Sequence, residues 1–256
     1  MPLRVGVQIQ PQHSEFDRMR QAWREADEMG VDAIFNWDHF YPLYGPPDGP
    51  HFEALTTLGS MAEVTERAQI GSLVICNAYR NPELLMDAHR TLDHISGGRA
   101  ILGIGAGWFQ RDFDEYGYEF GTAPDRLRAL RAALPRIRDR RAKLNPPPIG
   151  PLPLLIGGGG EKVTLRLVAE HADMWHGFGD LETYRHKNEV LIGHCEAVGR
   201  DPGEIERTWA VNAGEVETAD GLRDAGVTHF IMGIGGDGRG YDLAPLRELV
   251  EWRDRQ

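Results

Sequence analysis

What this chain has little of narrows its class. Cysteine occurs twice, at Cys76 and Cys195, which gives neither a disulfide framework nor a thiolate metal site. A reducing cytoplasm is the expected setting. No apolar run reaches the roughly 18 residues that a membrane span requires. The opening MPLRVGVQIQPQH lacks the charged segment and apolar stretch of a signal peptide and reads as a first strand. Positive charge is scarce: 28 Lys and Arg stand against 39 Asp and Glu, a net charge of −11. An acidic surface excludes nucleic acid as the expected partner, because phosphate binding needs clustered cations. Metal-ligand clusters are missing too. His171 and His176 fall at opposite ends of one strand-like run, so they make no zinc pair and no metal is expected. No nucleophile elbow supports Ser/His/Asp catalysis.

What is present is an alternation. Apolar, strand-like runs cover residues 3–9, 32–37, 69–75, 99–105, 152–157, 173–178, 207–213 and 228–233. Helical patterns lie between them. Ser14 with Asp17 three residues on opens a helix that Gly30 stops. Asn81-Pro82 caps a helix over 83–95, ended by Gly97-Gly98. Further helices are expected over 126–143, kinked at Pro135, and over 161–171, 181–198, 219–225 and 246–255. Strands alternating with helices make βαβ units and a parallel sheet. Eight such units in 256 residues predict an α/β protein of the (β/α)8 barrel type, one domain over 1–256, with an open doubly wound sheet as the rival. The proline run LNPPPIGPLP, residues 144–153, leads directly into the fifth strand.

In a barrel the chemistry gathers at the C-terminal strand ends, and that rule selects the candidates. Asp38-His39 closes the second run and is followed by Phe40, Tyr41 and Tyr44. His39 is suited to exchange a proton near neutral pH; the bland alternative is a satisfied imidazole beside a capping acid. Gly103, Gly105 and Gly107 end the fourth run, but Trp108 and Gln110 stand where a dinucleotide fingerprint needs glycine, so a Rossmann-type NAD site is not expected. LLIGGGGEK, residues 154–162, is a strand running through four glycines into a helix. Its bare amides and Lys162 suit a phosphate, or else form a turn. Asn77 and Tyr79 follow the third run, and His176 ends the sixth.

Taken together, FNWDHFYP, IGSLVICNAYRNPELL, TLDHISGGRAILGIGAGWFQRDFDEYGYEF, PLLIGGGGEKVTLRLVAEHADMWHGF, VGRDPGEIERTW and DAGVTHFIM resemble the bacterial luciferase-like superfamily, in particular its branch of oxidoreductases that use coenzyme F420. The pieces cover most of the chain in order. The resemblance implies a barrel holding the deazaflavin ring at its C-terminal mouth, with Asp38 and His39 beside it. It implies a non-proline cis peptide at Ser72–Leu73 that backs the ring, with Asn77 nearby. Gly105, Ala106 and Gly107 would meet the cofactor through backbone, and Gly158, Gly159 and Gly160 would take its phosphate. The segment before the fifth strand is shorter than is usual in the branch, which implies a more open pocket. Some sugar-phosphate dehydrogenases of the branch carry Glu where this chain has Trp108, so a sugar phosphate is not expected.

The resulting expectation is hydride transfer between F420 and a small organic molecule, with His39 handling the proton. Tyr41, Tyr79, Trp108, Trp175 and His176 are the expected pocket wall and favour an apolar or planar substrate. FMN with monooxygenase chemistry is the alternative, and a non-catalytic cofactor-binding barrel the second alternative. A homodimer through LTTLGSMA, residues 55–62, is expected by the same resemblance.

Overall fold

The computed structural model describes residues 2–256. Its strands are β1 (Arg4–Ile9), β2 (Ala33–Asn36), β3 (Gln69–Ser72), β4 (Ile75–Cys76), β5 (Ala100–Gly105), β6 (Leu154–Gly157), β7 (Met174–Gly177), β8 (Glu206–Val211) and β9 (His229–Ile234). Every pairing is parallel, and β1 pairs with both β2 and β9, which closes the sheet. β3 and β4 both pair with β5 and are two halves of one interrupted strand. The result is the expected eight-strand barrel. The open-sheet rival is excluded by the β1–β9 ladder, which runs from Arg4 opposite His229 to Ile9 opposite Ile234.

The helices are α1 (Phe16–Met29), α2 (Ala54–Val64), α3 (Pro82–Ser96), α4 (Gln110–Tyr116), α5 (Ala123–Arg141), α6 (Thr164–His171), α7 (Leu181–Val198), α8 (Thr218–Asp224) and α9 (Ala244–Asp254). Strands such as β5 are buried at every residue because side chains on one face fill the barrel and those on the other meet the helices. Ala33, Phe35, Leu73, Ile101, Leu155, Met174 and Ile231 form the inner cluster. At the base, Arg4 pairs with Glu206 at 2.9 Å and also donates to Gln69.

Several local expectations are corrected. Ser14 does not cap α1; its hydroxyl donates to the Glu15 carbonyl, and Glu15 is the N-cap residue. Gly30 ends that helix as expected, with a φ of 87°. α2 escapes the sequence pattern because its cap is a glutamate: Glu53 accepts from the Leu55 and Thr56 amides at 3.0 and 2.7 Å. Its C-terminal carbonyls are taken by Arg99, which donates to Ala62 and Thr65. Asn81 caps α3 through the Leu84 amide at 3.0 Å, as expected. α5 runs through Pro135 as one helix. The proline run is fastened to the end of α3, where Asp93 accepts from the amides of Ile149 and Gly150 at 2.8 and 2.9 Å.

Candidate active site

The interrupted strand shapes the mouth of the barrel. The peptide between Leu73 and Val74 is cis, one residue later than the expected Ser72–Leu73. Register explains the difference. Ser72 still lies opposite Asn36, and the Leu73 amide still donates to the Asn36 carbonyl at 2.8 Å. Only then does the chain leave the ladder, and the Leu73 carbonyl accepts from Gln8 Nε2 at 2.7 Å. Ser72, expected as a cofactor contact, is fully buried. Its hydroxyl donates to Asn36 Oδ1, and Asn36 in turn holds Thr57 and Ala54 of α2.

Val74 projects from this bulge toward β5 and β6. A methyl on Gly105 would lie 2.7 Å from Val74 Cγ2, and one on Gly157 would lie 2.9 Å from Val74 Cγ1. These glycines are therefore the space the bulge occupies. Gly105, expected to admit a cofactor, first admits the neighbouring strand. Ala106 and Gly107 follow; the Gly107 carbonyl accepts from Arg126 Nε at 3.0 Å and its Cα faces Cys76.

Asp38 and His39 part company after β2. Asp38 is fully buried, and its oxygens take Arg80 at 2.5 and 2.9 Å and the Cys76 amide at 2.9 Å. Burial pushes its carboxyl up, and the Arg80 guanidinium opposes that shift. Its lone pairs are spent on anchoring the chain that returns through β4, and Arg80 extends the anchor to Glu53 at 2.7 Å. His39 instead sits at the rim. Its Nδ1 is 2.7 Å from Asp112 Oδ2, and its ring is edge-on to Trp37, Trp108 and Phe109 at centroid distances of 5.8, 5.7 and 5.6 Å. Beside it, His51 Nε2 accepts from Trp37 Nε1 at 3.0 Å; burial, then the nearby His39, pushes the His51 imidazole down to about 4.

Asp112 is the functional candidate that sequence reasoning missed. It lies in the first turn of α4, fully buried, and also accepts from the Phe40 amide at 3.1 Å and the Tyr79 hydroxyl at 3.2 Å. The available signal was an acid at a helix start directly before an apolar residue, Phe113. Tyr79, expected to line the pocket, is buried against Phe40 and Tyr118, with centroids 4.7 and 5.0 Å away. Asn77 opens the short 3-10 turn that carries it. Tyr41 is half-buried under the Arg111 guanidinium, 3.9 Å from its ring centre. Trp108 is 63% exposed. Trp175 is corrected: it is fully buried between Tyr184 and Trp209, and its Nε1 donates to the Gly158 carbonyl at 2.9 Å.

That bond helps fix the glycine loop after β6. Gly158 has a φ of 119°, which an L side chain rarely adopts, and its amide donates to the His176 carbonyl at 3.0 Å. Among the described residues no backbone hydrogen bond uses the Gly159 or Gly160 amide. α6 begins at Thr164 rather than 161, because residues 161–163 form a turn. Glu161 there holds Lys187 at 2.5 Å and His186 at 3.1 Å. Lys162 is exposed; Lys187 is the cation beside the loop, its Cε 3.6 Å from where a Gly159 methyl would sit. His176 lies one residue before the end of β7 and bonds Thr208 Oγ1 through Nδ1 at 2.8 Å, and burial pushes its imidazole down to about 4.

His39, the bulge, Ala106 to Trp108, the glycine loop and His176 thus occupy the C-terminal ends of successive barrel strands. Free amides, an imidazole and aromatic surface at that face define an enzyme-type barrel with its site at the mouth. The chain belongs to the luciferase-like monooxygenase family, whose model matches residues 1–232. It is 29% identical over 231 residues to the F420-dependent glucose-6-phosphate dehydrogenase of Kineococcus radiotolerans, covering 81% of this chain and 66% of that one. It is 31% identical over 156 residues to the enzyme of the same name from Amycolatopsis mediterranei, covering 54% of this chain. It thus spans 46% and 66% of the lengths of these two relatives. Its fold matches that of an F420-dependent secondary alcohol dehydrogenase in complex with an F420-acetone adduct, with a TM-score of 0.86, 16% identity and coverage of 97% and 98% of the two chains. It also matches a coenzyme F420-dependent tetrahydromethanopterin reductase from Methanopyrus kandleri, with a TM-score of 0.75, 16% identity and coverage of 98% and 97%. Among the described residues no cluster of three or more His, Cys, Asp or Glu is placed to hold a metal ion, and no helix is long and apolar enough to cross a membrane.

Proposed function

We propose that this protein is an oxidoreductase that transfers a hydride between coenzyme F420 and a small organic substrate, apolar or planar in character. The observation that carries this reading is the glycine loop: a turn at a φ of 119° followed by two amides free of backbone partners, at the same face as His39. Such amides suit a phosphate. The names of the two curated relatives support the choice of F420.

The residues fit the group. Gly158, Gly159 and Gly160 would take its phosphate, Leu73 and Val74 would back its ring, and Ala106 and Gly107 would border it through backbone. When bound, the deazaflavin accepts or donates a hydride at the carbon that replaces the central flavin nitrogen. His39 handles the accompanying proton at Nε2, the ring nitrogen left free by the Nδ1 contact with Asp112. His176 borders the site as a neutral imidazole, held by Thr208. Trp108, Tyr44 and Phe178, exposed by 63%, 64% and 72% in loops after β5, β2 and β7, supply the apolar surface for the substrate. A second copy would meet the chain over 55–62, where Leu58, Met61 and Ala62 are buried against the barrel and Leu55, Thr56, Gly59 and Ser60 keep surface exposed; light scattering tests this.

The test of the chemistry follows F420 absorbance with panels of alcohols and planar acceptors. Wild-type protein is expected to change the spectrum with at least one of them, and H39A to lose turnover while keeping cofactor affinity. Turnover equal to wild type in H39A removes His39 from the mechanism. Preferential binding of FMN with reductase-driven oxygen consumption supports a monooxygenase instead. A bound cofactor whose spectrum no partner changes supports a non-catalytic binder.

A further inference from the structure

Resting on the reading of His39 as the proton-handling group, we infer that Asp112 is a positioning residue of the reaction. Tyr79 supports it, in a buried Tyr79–Asp112–His39 chain that fixes the tautomer of the imidazole and presents Nε2 to the mouth. Asp112 comes from α4, a different element from His39, 73 positions away in sequence. Its two oxygens act on neighbouring parts of one segment. Oδ1 accepts from the Phe40 amide at 3.1 Å and Oδ2 from His39 at 2.7 Å, so backbone and ring are clamped together.

The direction of each bond follows from the groups. A backbone amide only donates, so the Phe40 contact marks the carboxylate as an acceptor. Tyr79 donates as well: burial, then the neighbouring Cys76 and Asp112, pushes its phenol up, so it keeps its proton. With two donors already on a fully buried carboxylate, the third partner, Nδ1, is the N–H of the neutral ring. The lone pair of neutral His39 is then on Nε2. An acid that keeps an imidazole in one tautomer sets which nitrogen does the chemistry. Rotation is restricted by the edges of Trp37, Trp108 and Phe109. The neighbouring His51, pushed down to about 4, adds no competing positive charge near neutral pH.

The arrangement makes two predictions about the intact chain. In cofactor-free protein carrying 15N-histidine, the neutral His39 signal, assigned by its loss in H39A, is expected to show one tautomer with the proton on Nδ1. In D112N that signal is expected to become a mixture or to switch, because an amide both donates and accepts; D112E is expected to restore the single form. In turnover, D112N is expected to lower kcat by at least about 100-fold, the scale of general acid–base catalysis, with F420 affinity within about threefold of wild type. An unchanged tautomer together with unchanged kcat in D112N overturns the inference. If D112N fails to fold, Y79F carries the test, with kcat expected to fall about tenfold, and wild-type kcat there overturns it. If wild type turns over no substrate with F420 but D112N still shifts the tautomer, the positioning role stands and the F420 reading falls. If wild type and D112N turn over alike, the positioning role falls alone.

Discussion

Adding one methyl group at Gly105 tests whether the strand-three bulge is packed as described. In G105A the new methyl would stand 2.7 Å from Val74 Cγ2, closer than side chains tolerate. Val74 also flanks β6, where its Cγ1 lies 2.9 Å from the position a methyl on Gly157 would take, so it sits against both strands. Overpacking of this kind costs about 1–3 kcal/mol. Replacing glycine in a strand returns about 0.5–1 kcal/mol through the unfolded chain. The single substitution is therefore expected to destabilise by about 1–2 kcal/mol. V74A removes two half-buried methyls and should destabilise by about 1 kcal/mol. In the double variant the alanine methyl fills the space that Val74 vacates, so the sum is expected to be undershot by about 1–2 kcal/mol. Urea unfolding of the four proteins measures the cycle. Additivity within about 0.5 kcal/mol means that Val74 and Gly105 do not meet, and the account of the bulge fails with it.

Three further outcomes follow from the same geometry. R80M leaves Asp38 buried without its cation and is expected to destabilise by about 3–5 kcal/mol in urea unfolding, with R80K less harmful. His89 is fully buried, with its imidazole pushed down to about 4 by burial, against about 6.5 in the unfolded chain. Because its folded value is the lower one, the unfolded state binds the extra proton. Stability is complete above about 6.5 and is lost as pH falls toward 4. Between pH 7 and 5 wild type is expected to lose about 2 kcal/mol more than H89L, read from urea midpoints at both pH values. G158A places a side chain at a φ of 119°, and is expected to weaken F420 binding by about tenfold or more in a fluorescence titration.

The barrel was legible because its strands are buried on both faces and read as continuous apolar runs, such as AILGIG in β5. α2 was not, since a glutamate caps it and ALTTLGSMAEV carries little amphipathic pattern. At the site, His39 was legible from its place at a strand end. Its partner was not: an acid before Phe113 at a helix start marks Asp112 off from Asp114, but nothing in RDFDEY points that acid at His39, and only the fold brings Asp112 to the imidazole. Glycines proved ambiguous for a physical reason. Gly105 and Gly157 make room for Val74, whereas Gly158 is required by its own backbone angle, and a sequence shows only that a side chain is missing. Trp175 and Tyr79 show the same limit for aromatics: both are buried in packed clusters behind the mouth.

Competitive titration of F420 and FMN onto cofactor-free protein, followed by the quenching of its six tryptophans, tests the central claim most directly. The account predicts saturable F420 binding at one molecule per chain, undisturbed by excess FMN. Tighter binding of FMN, or no saturable binding of F420, contradicts it.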